Sequence, residues 1–149
     1  MIQFVDNCEL AEFRILYKPK PGASTKKTLS VGLPGAPFFW RGADPTTCLV
    51  VEGCLEMLAG VTMGYRGHVV GTAGTGCWDL KWFEALGADG VQTFDLAFNN
   101  DARPDGNPGQ EVQATLAKEL VKVGLRVRDA SPIEPGDIND ALLRKLAKR

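Results

Sequence analysis

From Thr47 onward, short β-prone apolar runs alternate with segments whose apolar residues recur at helical spacing. This alternation constrains the fold more than any other feature. It predicts βαβ units, hence a mainly parallel sheet with helices packed on it. Cys48 to Glu52 reads as a buried central strand, because an unbroken apolar run with two valines suits a strand covered on both faces. A short helix follows, with Leu55, Leu58 and Ala59 on one face. His68 to Thr72 reads as the next strand and runs into the glycine-rich turn Gly71 to Gly76. Asp79 is placed to cap a helix through Leu86, closed by Gly87. Val91 to Phe98 is a third strand. Val112, Leu116, Leu120 and Val123 form a helical stripe that Gly124 stops. Leu125 to Arg128 is a fourth strand, and Asp137 or Asn139 caps a last helix with Ile138, Leu142 and Leu146 on its apolar face. Lys145, Lys148 and Arg149 suit the negative end of that helix.

The front of the chain has a different texture. Phe13 to Tyr17, Thr28 to Val31 and Phe38 to Trp40 read as short strands, separated by the turn-rich stretch Pro19 to Lys27. The expected organisation is a β-rich extension over residues 1–46 and an α/β domain over residues 47–149.

Bulk properties exclude some functions. The chain of 149 residues can bury a core without disulfides or a structural metal. With 17 basic against 18 acidic residues it is not a globally basic nucleic-acid binder, although a local patch is compatible with that balance. No apolar run approaches the roughly 18 residues of a membrane span, and no signal peptide is visible, so a cytoplasmic protein is expected. Cys8, Cys48, Cys54 and Cys77 form no CxxC pair. Cys48 and Cys54 flank a buried strand, so reduced core thiols are expected. A lone His68 offers little to zinc.

The chemistry-bearing residues sit where strands end. In open α/β sheets ligands bind beyond the carboxyl ends of the strands. Carboxylates delivered there by separate strands can share a hard cation such as Mg²⁺. Glu52 follows Cys48-Leu49-Val50-Val51, and Gly53 allows a tight turn and close approach by a phosphate. The competing reading of Glu52 is a carboxylate at a helix start. Asn99 and Asp101, two residues apart, fall on the same side of an extended backbone; a plain turn is the alternative. Asp95 is expected to face a helix or solvent. Asp137-Ile138-Asn139-Asp140 is by itself most simply a helix cap. Gly71 to Gly76 lacks the ending of a P-loop and the spacing of a dinucleotide motif, so a tight turn needing positive φ is the simpler reading. Trp78 and Trp82 are expected in the core. Lys81 and Arg103 are candidates for phosphate contact, with surface solvation as the alternative.

Taken in order, these pieces resemble the Toprim domain of bacterial-type primases, topoisomerases and some nucleases. Val50-Val51-Glu52-Gly53 stands for the family's glutamate-glycine pair, the Gly71 to Gly76 turn for its glycine-rich turn, Phe98-Asn99-Asn100-Asp101 for its Asp-x-Asp. Gly136-Asp137-Ile138-Asn139-Asp140 stands for a late aspartate segment of primase-like members. The likeness spans roughly residues 47 to 146. Asn99 departs from it by replacing the first aspartate, and Glu56 stands where many primase-like members carry aspartate. The front region resembles the strand-rich lead-in of phage and plasmid replication proteins; no zinc-ribbon or helicase segment accompanies it. The chain reads as a domain of a larger primase-like protein or as a small stand-alone one.

The resemblance implies a Rossmann-like sheet of about four mostly parallel strands and a primase-related role in DNA replication or processing. It implies nucleotidyl or phosphodiester transfer with Mg²⁺ or Mn²⁺, and DNA, RNA, nucleotides and other replication proteins as partners. Glu52 and Asp101 would be catalytic; Glu52, Asn99, Asp101 and Asp137 would hold metal. Gly53, Gly74, Lys81 and Arg103 would contact phosphate or nucleic acid. Asn99 supports a second expectation, a non-catalytic nucleic-acid-binding or assembly module with a degenerate metal site. A third is a doubly wound nucleotide binder that uses the Gly71 to Gly76 turn.

Overall fold

The computed structural model describes residues 2–6, 9–16, 28–32, 37–101, 104 and 106–148. The chain divides into two compact units, Met1–Ala36 and Pro37–Arg149. In the first, β1 (Ile2–Asp6) pairs antiparallel with β2 (Glu9–Leu16), which pairs antiparallel with β3 (Thr28–Gly32). The expected antiparallel element is therefore present at the front. Tyr17, the Pro19 to Lys27 turn and Cys8 lie outside the described residues.

The second unit holds β4 (Phe38–Trp40), β5 (Asp44–Val51), α1 (Cys54–Thr62), β6 (Gly67–Gly71), α2 (Leu80–Ala88), β7 (Thr93–Leu96), α3 (Pro108–Lys122), β8 (Arg126–Asp129) and α4 (Ile138–Ala147). Its sheet has the order β4-β6-β5-β7-β8. β6, β5, β7 and β8 are mutually parallel, and β4 adds one antiparallel edge. The expected mostly parallel α/β sheet is thus the observed one. The units part between Ala36 and Pro37, not at residue 46, because Phe38 to Trp40 hydrogen-bonds to Val69 to Gly71 of β6 and joins the parallel sheet.

Alternation along the central strand builds two cores. Cys48 and Val50 join Val70, Phe94 and Leu96 against Phe83 of α2 and Leu116 and Leu120 of α3. Leu49 points the other way, and Gly60 of α1 lies so close that a methyl there would stand 2.7 Å from a Leu49 methyl. Full burial of each such aliphatic side chain stabilises the fold by roughly 1.5–3 kcal/mol. α1 packs against α4, and α2 against α3. On α1 the buried residues are Cys54, Met57, Ala59 and Gly60; Leu55 and Leu58 are exposed. The inward face is therefore rotated from the one its leucines suggest, and at Gly60 the closeness of Leu49 leaves no room for a side chain.

One other expectation changes. Gly87 does not close α2; it lies inside the helix, where a methyl would stand 2.7 Å from Leu125. Gly90, with φ +111, follows the helix end instead. Asp95 shares the α1-side face of the sheet with its register partner Leu49, and its carboxylate is met by neighbouring side chains and not by solvent. It is buried on β7, where Arg128 grips it with Nε and Nη2 at 2.6 and 2.8 Å and the Tyr65 hydroxyl donates at 2.6 Å. Gly124, at φ +84, does stop α3, and Asp79 does cap α2, accepting from the Lys81 amide at 3.0 Å. Trp78 and Trp82 are half-buried, with Trp78 packed against the core. Cys48 and Cys54 are buried free thiols, and Cys77 is exposed. Burial pushes the Cys48 thiol up to about 12.

Candidate functional site

The sheet changes direction at β5. From β5 the chain crosses to β6 on one side, then returns past β5 to β7 on the other. Crossovers that diverge this way leave a crevice at the carboxyl ends of the two strands. Glu52 follows β5 directly and occupies that crevice. Its Oε1 accepts from the Asn99 backbone N–H, beyond β7, at 3.0 Å. Its Oε2 accepts from the Thr75 hydroxyl, in the glycine-rich turn beyond β6, at 2.7 Å. One carboxylate therefore ties together the ends of three strands.

Close backbone approach makes this possible. A methyl at Gly71 would stand 2.6 Å from the Gly53 carbonyl oxygen, so β6 reaches its place only with glycine there. The turn continues with the Thr72 N–H on the Val51 carbonyl at 2.8 Å and the Thr72 hydroxyl on the Gly74 carbonyl at 2.9 Å. Gly74 has φ +139, a region side chains disfavour. The turn is a tight one that uses positive φ, and its hydrogen bond to Glu52 comes from Thr75. On the opposite side Pro108 and Gly109 open α3. A methyl at Gly109 would stand 2.6 Å from Glu52 Oε1 and nearer still to the Asn99 carbonyl.

A ladder of amides fixes the end of β7. Gln113 Oε1 accepts from the Phe98 N–H at 2.9 Å, and its Nε2 donates to Ser131 Oγ and Asp129 Oδ1 at 2.7 and 3.1 Å. Gln110 Nε2 donates to the carbonyls of Phe98 and Asn99, each at 3.1 Å. Asn100 forms a two-way bridge with Gly136, at 2.9 and 3.1 Å, which places the residues before α4 beside those after β7. None of Thr75, Gly109, Gln110, Gln113 or Ser131 was singled out from sequence. The signal available was Gln113, a polar residue among the apolar positions of α3.

Glu52, Asn99, Asp101 and Asp137 come from segments that meet along this edge. Gly53 is buried as the N-cap of α1, in extended backbone. Asn99 Oδ1 is buried without a hydrogen-bond partner. Asp137 caps α4 in a reciprocal box: its Oδ1 accepts from the Asp140 N–H at 2.8 Å, and Asp140 Oδ2 accepts from the Asp137 N–H at 3.2 Å. Lys81 is exposed on the first turn of α2. Arg103 lies outside the described residues. Among the described residues, no three His, Cys, Asp or Glu side chains gather closely enough to cage a metal ion. Magnesium prefers oxygen and commonly takes only one or two carboxylates, leaving other positions to water and phosphate. Glu52, Asp101 and the unpartnered Asn99 side-chain carbonyl offer oxygen.

No protein-family model and no curated protein matches the chain. Among solved structures, the crystal structure of the Aquifex aeolicus primase (zinc-binding and RNA polymerase domains) is similar. The TM-score is 0.65 and the identity 15%, over 99% of this chain and 38% of that one. This protein therefore has a primase-like α/β fold and spans well under half the length of the primase chain it matches.

Proposed function

We propose that residues 37–149 form a Toprim-like module of DNA replication or processing, primase-related, that acts on nucleotides or nucleic acid with Mg²⁺ or Mn²⁺. One observation carries the reading: the Glu52 carboxylate stands at the switch point of a primase-like sheet, held at both oxygens by neighbouring strand ends. A carboxylate so fixed is oriented before any ligand arrives. Glu52 and Asp101 would hold the cation, with Asn99 Oδ1 as a neutral donor and Asp137 at the rim. A divalent ion bound there would neutralise phosphate charge and activate the attacking oxygen. The chain itself orients: Thr75 and the Asn99 amide fix Glu52, Gly53 lets a phosphate approach the start of α1, and the Gln110–Gln113 ladder keeps the β7 end in place. Gly74, Lys81 and Arg103 are the candidates for nucleic-acid contact.

The test is Mn²⁺ titration followed by tryptophan fluorescence and melting temperature, paired with a templated primer-synthesis assay. The expected result is a metal response at millimolar levels and metal-dependent synthesis, with Glu52→Gln weakening both about tenfold or more, no less than the loss of a residue that only orients a metal ligand costs. Full primer synthesis by Glu52→Ala would remove Glu52 from the chemistry.

A second reading has its own support. Asparagine stands at position 99, and no three-residue acidic group assembles among the described residues. Both fit a non-catalytic binding or assembly module. Absence of any metal response, together with retained nucleic-acid binding, would favour it.

A further inference from the structure

On the α4 side of the Asn100–Gly136 bridge lies an open groove of about 350 Å³. It is lined by the apolar Pro132, Ile133 and Ala141, by the basic Arg144, Lys145 and Lys148, and by Glu134. Ile133 is 99% exposed. Arg144 is already engaged: its Nε pairs with Glu134 at 2.9 Å and its Nη1 donates to the Pro135 carbonyl at 3.4 Å. Among the described residues, Lys145 and Lys148 have no ion-pair partner. Cations near a helix C-terminus are favoured by the helix dipole. The dipole accounts for the lysines but not for an isoleucine held in water beside them, nor for the hollow between them.

We propose that this groove docks an acidic protein segment carrying an apolar anchor. The anchor side chain lies against Ile133, Pro132 and Ala141, and flanking carboxylates meet Lys145 and Lys148. The volume suits one or a few side chains, near the lower end of the roughly 300–1,000 Å³ of small binding pockets. A nucleic-acid strand fits less well. No aromatic residue lines the groove, so bases find no stacking platform. Apolar walls give nothing to a phosphate backbone. The groove shares no residue with the Glu52 crevice, so the proposal stands apart from the metal chemistry.

The experiment is fluorescence anisotropy on the full chain. The probe is a labelled synthetic peptide of alternating aspartate and leucine; a lysine–leucine peptide and an oligothymidylate of matching charge serve as comparators. The acidic peptide should bind saturably. Ile133→Ser, and separately the pair Lys145→Gln with Lys148→Gln, should each weaken it about tenfold or more, a change of about 1.4 kcal/mol per tenfold. Melting temperature should stay constant in both. Ile133 lies outside every helix and strand, so its variant remains informative if the lysine changes unsettle α4. No saturable binding, binding indifferent to both variants, or tighter occupation of the same residues by the oligothymidylate would overturn the proposal.

Discussion

At the scale of single residues, the decisive contrast is between two carboxylates near the middle of the sheet. Asp95 is buried and gripped by Arg128 and Tyr65, which satisfies its charge internally. Burial and the Asp95 carboxylate raise the Tyr65 phenol far above its ordinary value, so it remains a donor. Arg128→Ala leaves a buried charge with one fewer pair of donors. It should cost about 1–3 kcal/mol in urea denaturation, toward the lower end because the Arg128 side chain is itself largely solvated. Asp129 offers a pH signature. The Ser131 hydroxyl, then the Ser131 N–H and the Gln113 amide, hold its carboxyl below the ordinary 3.8, and Thr46 does the same for Asp44. A carboxyl lowered on folding binds fewer protons in the native state. Its stabilisation is complete above the unfolded value and is lost as pH falls through the folded one. Stability should therefore drop below about pH 4, and Asp129→Asn should flatten that drop. Glu52 could be singled out from sequence because a charge ending an apolar strand needs a reason. Its partners could not, since Thr75 and the Asn99 amide reach it from remote parts of the chain.

At the scale of elements, glycines and caps decide where pieces lie. Gly71 faces the Gly53 backbone, which cannot rotate away as a side chain would, so Gly71→Ala should lower stability by about 1–3 kcal/mol in thermal or urea unfolding. Asp137 separates two roles. As the cap of α4, its replacement by alanine should cost about 1 kcal/mol, whereas Asp137→Asn caps nearly as well. A fall in Mn²⁺ affinity for Asp137→Asn at unchanged melting temperature would assign it to metal; unchanged affinity would leave it a cap. The strands and the helix periods were legible because alternation and 3.6-residue spacing are local patterns. The roles of Gly87 and of Leu55 and Leu58 were not. Whether a glycine ends a helix or admits a neighbour, and which flank of a helix is covered, depends on Leu125 and Leu49, which lie outside the helices concerned.

At the scale of the whole molecule, the second unit has its own core, built from Val50, Val70, Phe83, Phe94, Leu96, Leu116 and Leu120, all contributed after Pro37. Residues 37–149 alone should therefore unfold cooperatively, within a few degrees of the corresponding transition in the full chain by calorimetry. A fragment without a cooperative transition would contradict the assignment of β4 to this unit. No helix among the described residues is long and apolar enough to cross a membrane. By itself the sequence determined the alternation of strands and helices, the mostly parallel sheet, and the presence of polar residues at the strand ends, because hydrophobic period and turn chemistry act over a few residues. Only the tertiary structure decided that β4 closes the main sheet, that Asp95 is internally paired, and that Glu52 is clasped between Thr75 and Asn99. Those outcomes depend on strand order, which brings distant backbone within hydrogen-bonding reach and leaves no trace in local pattern.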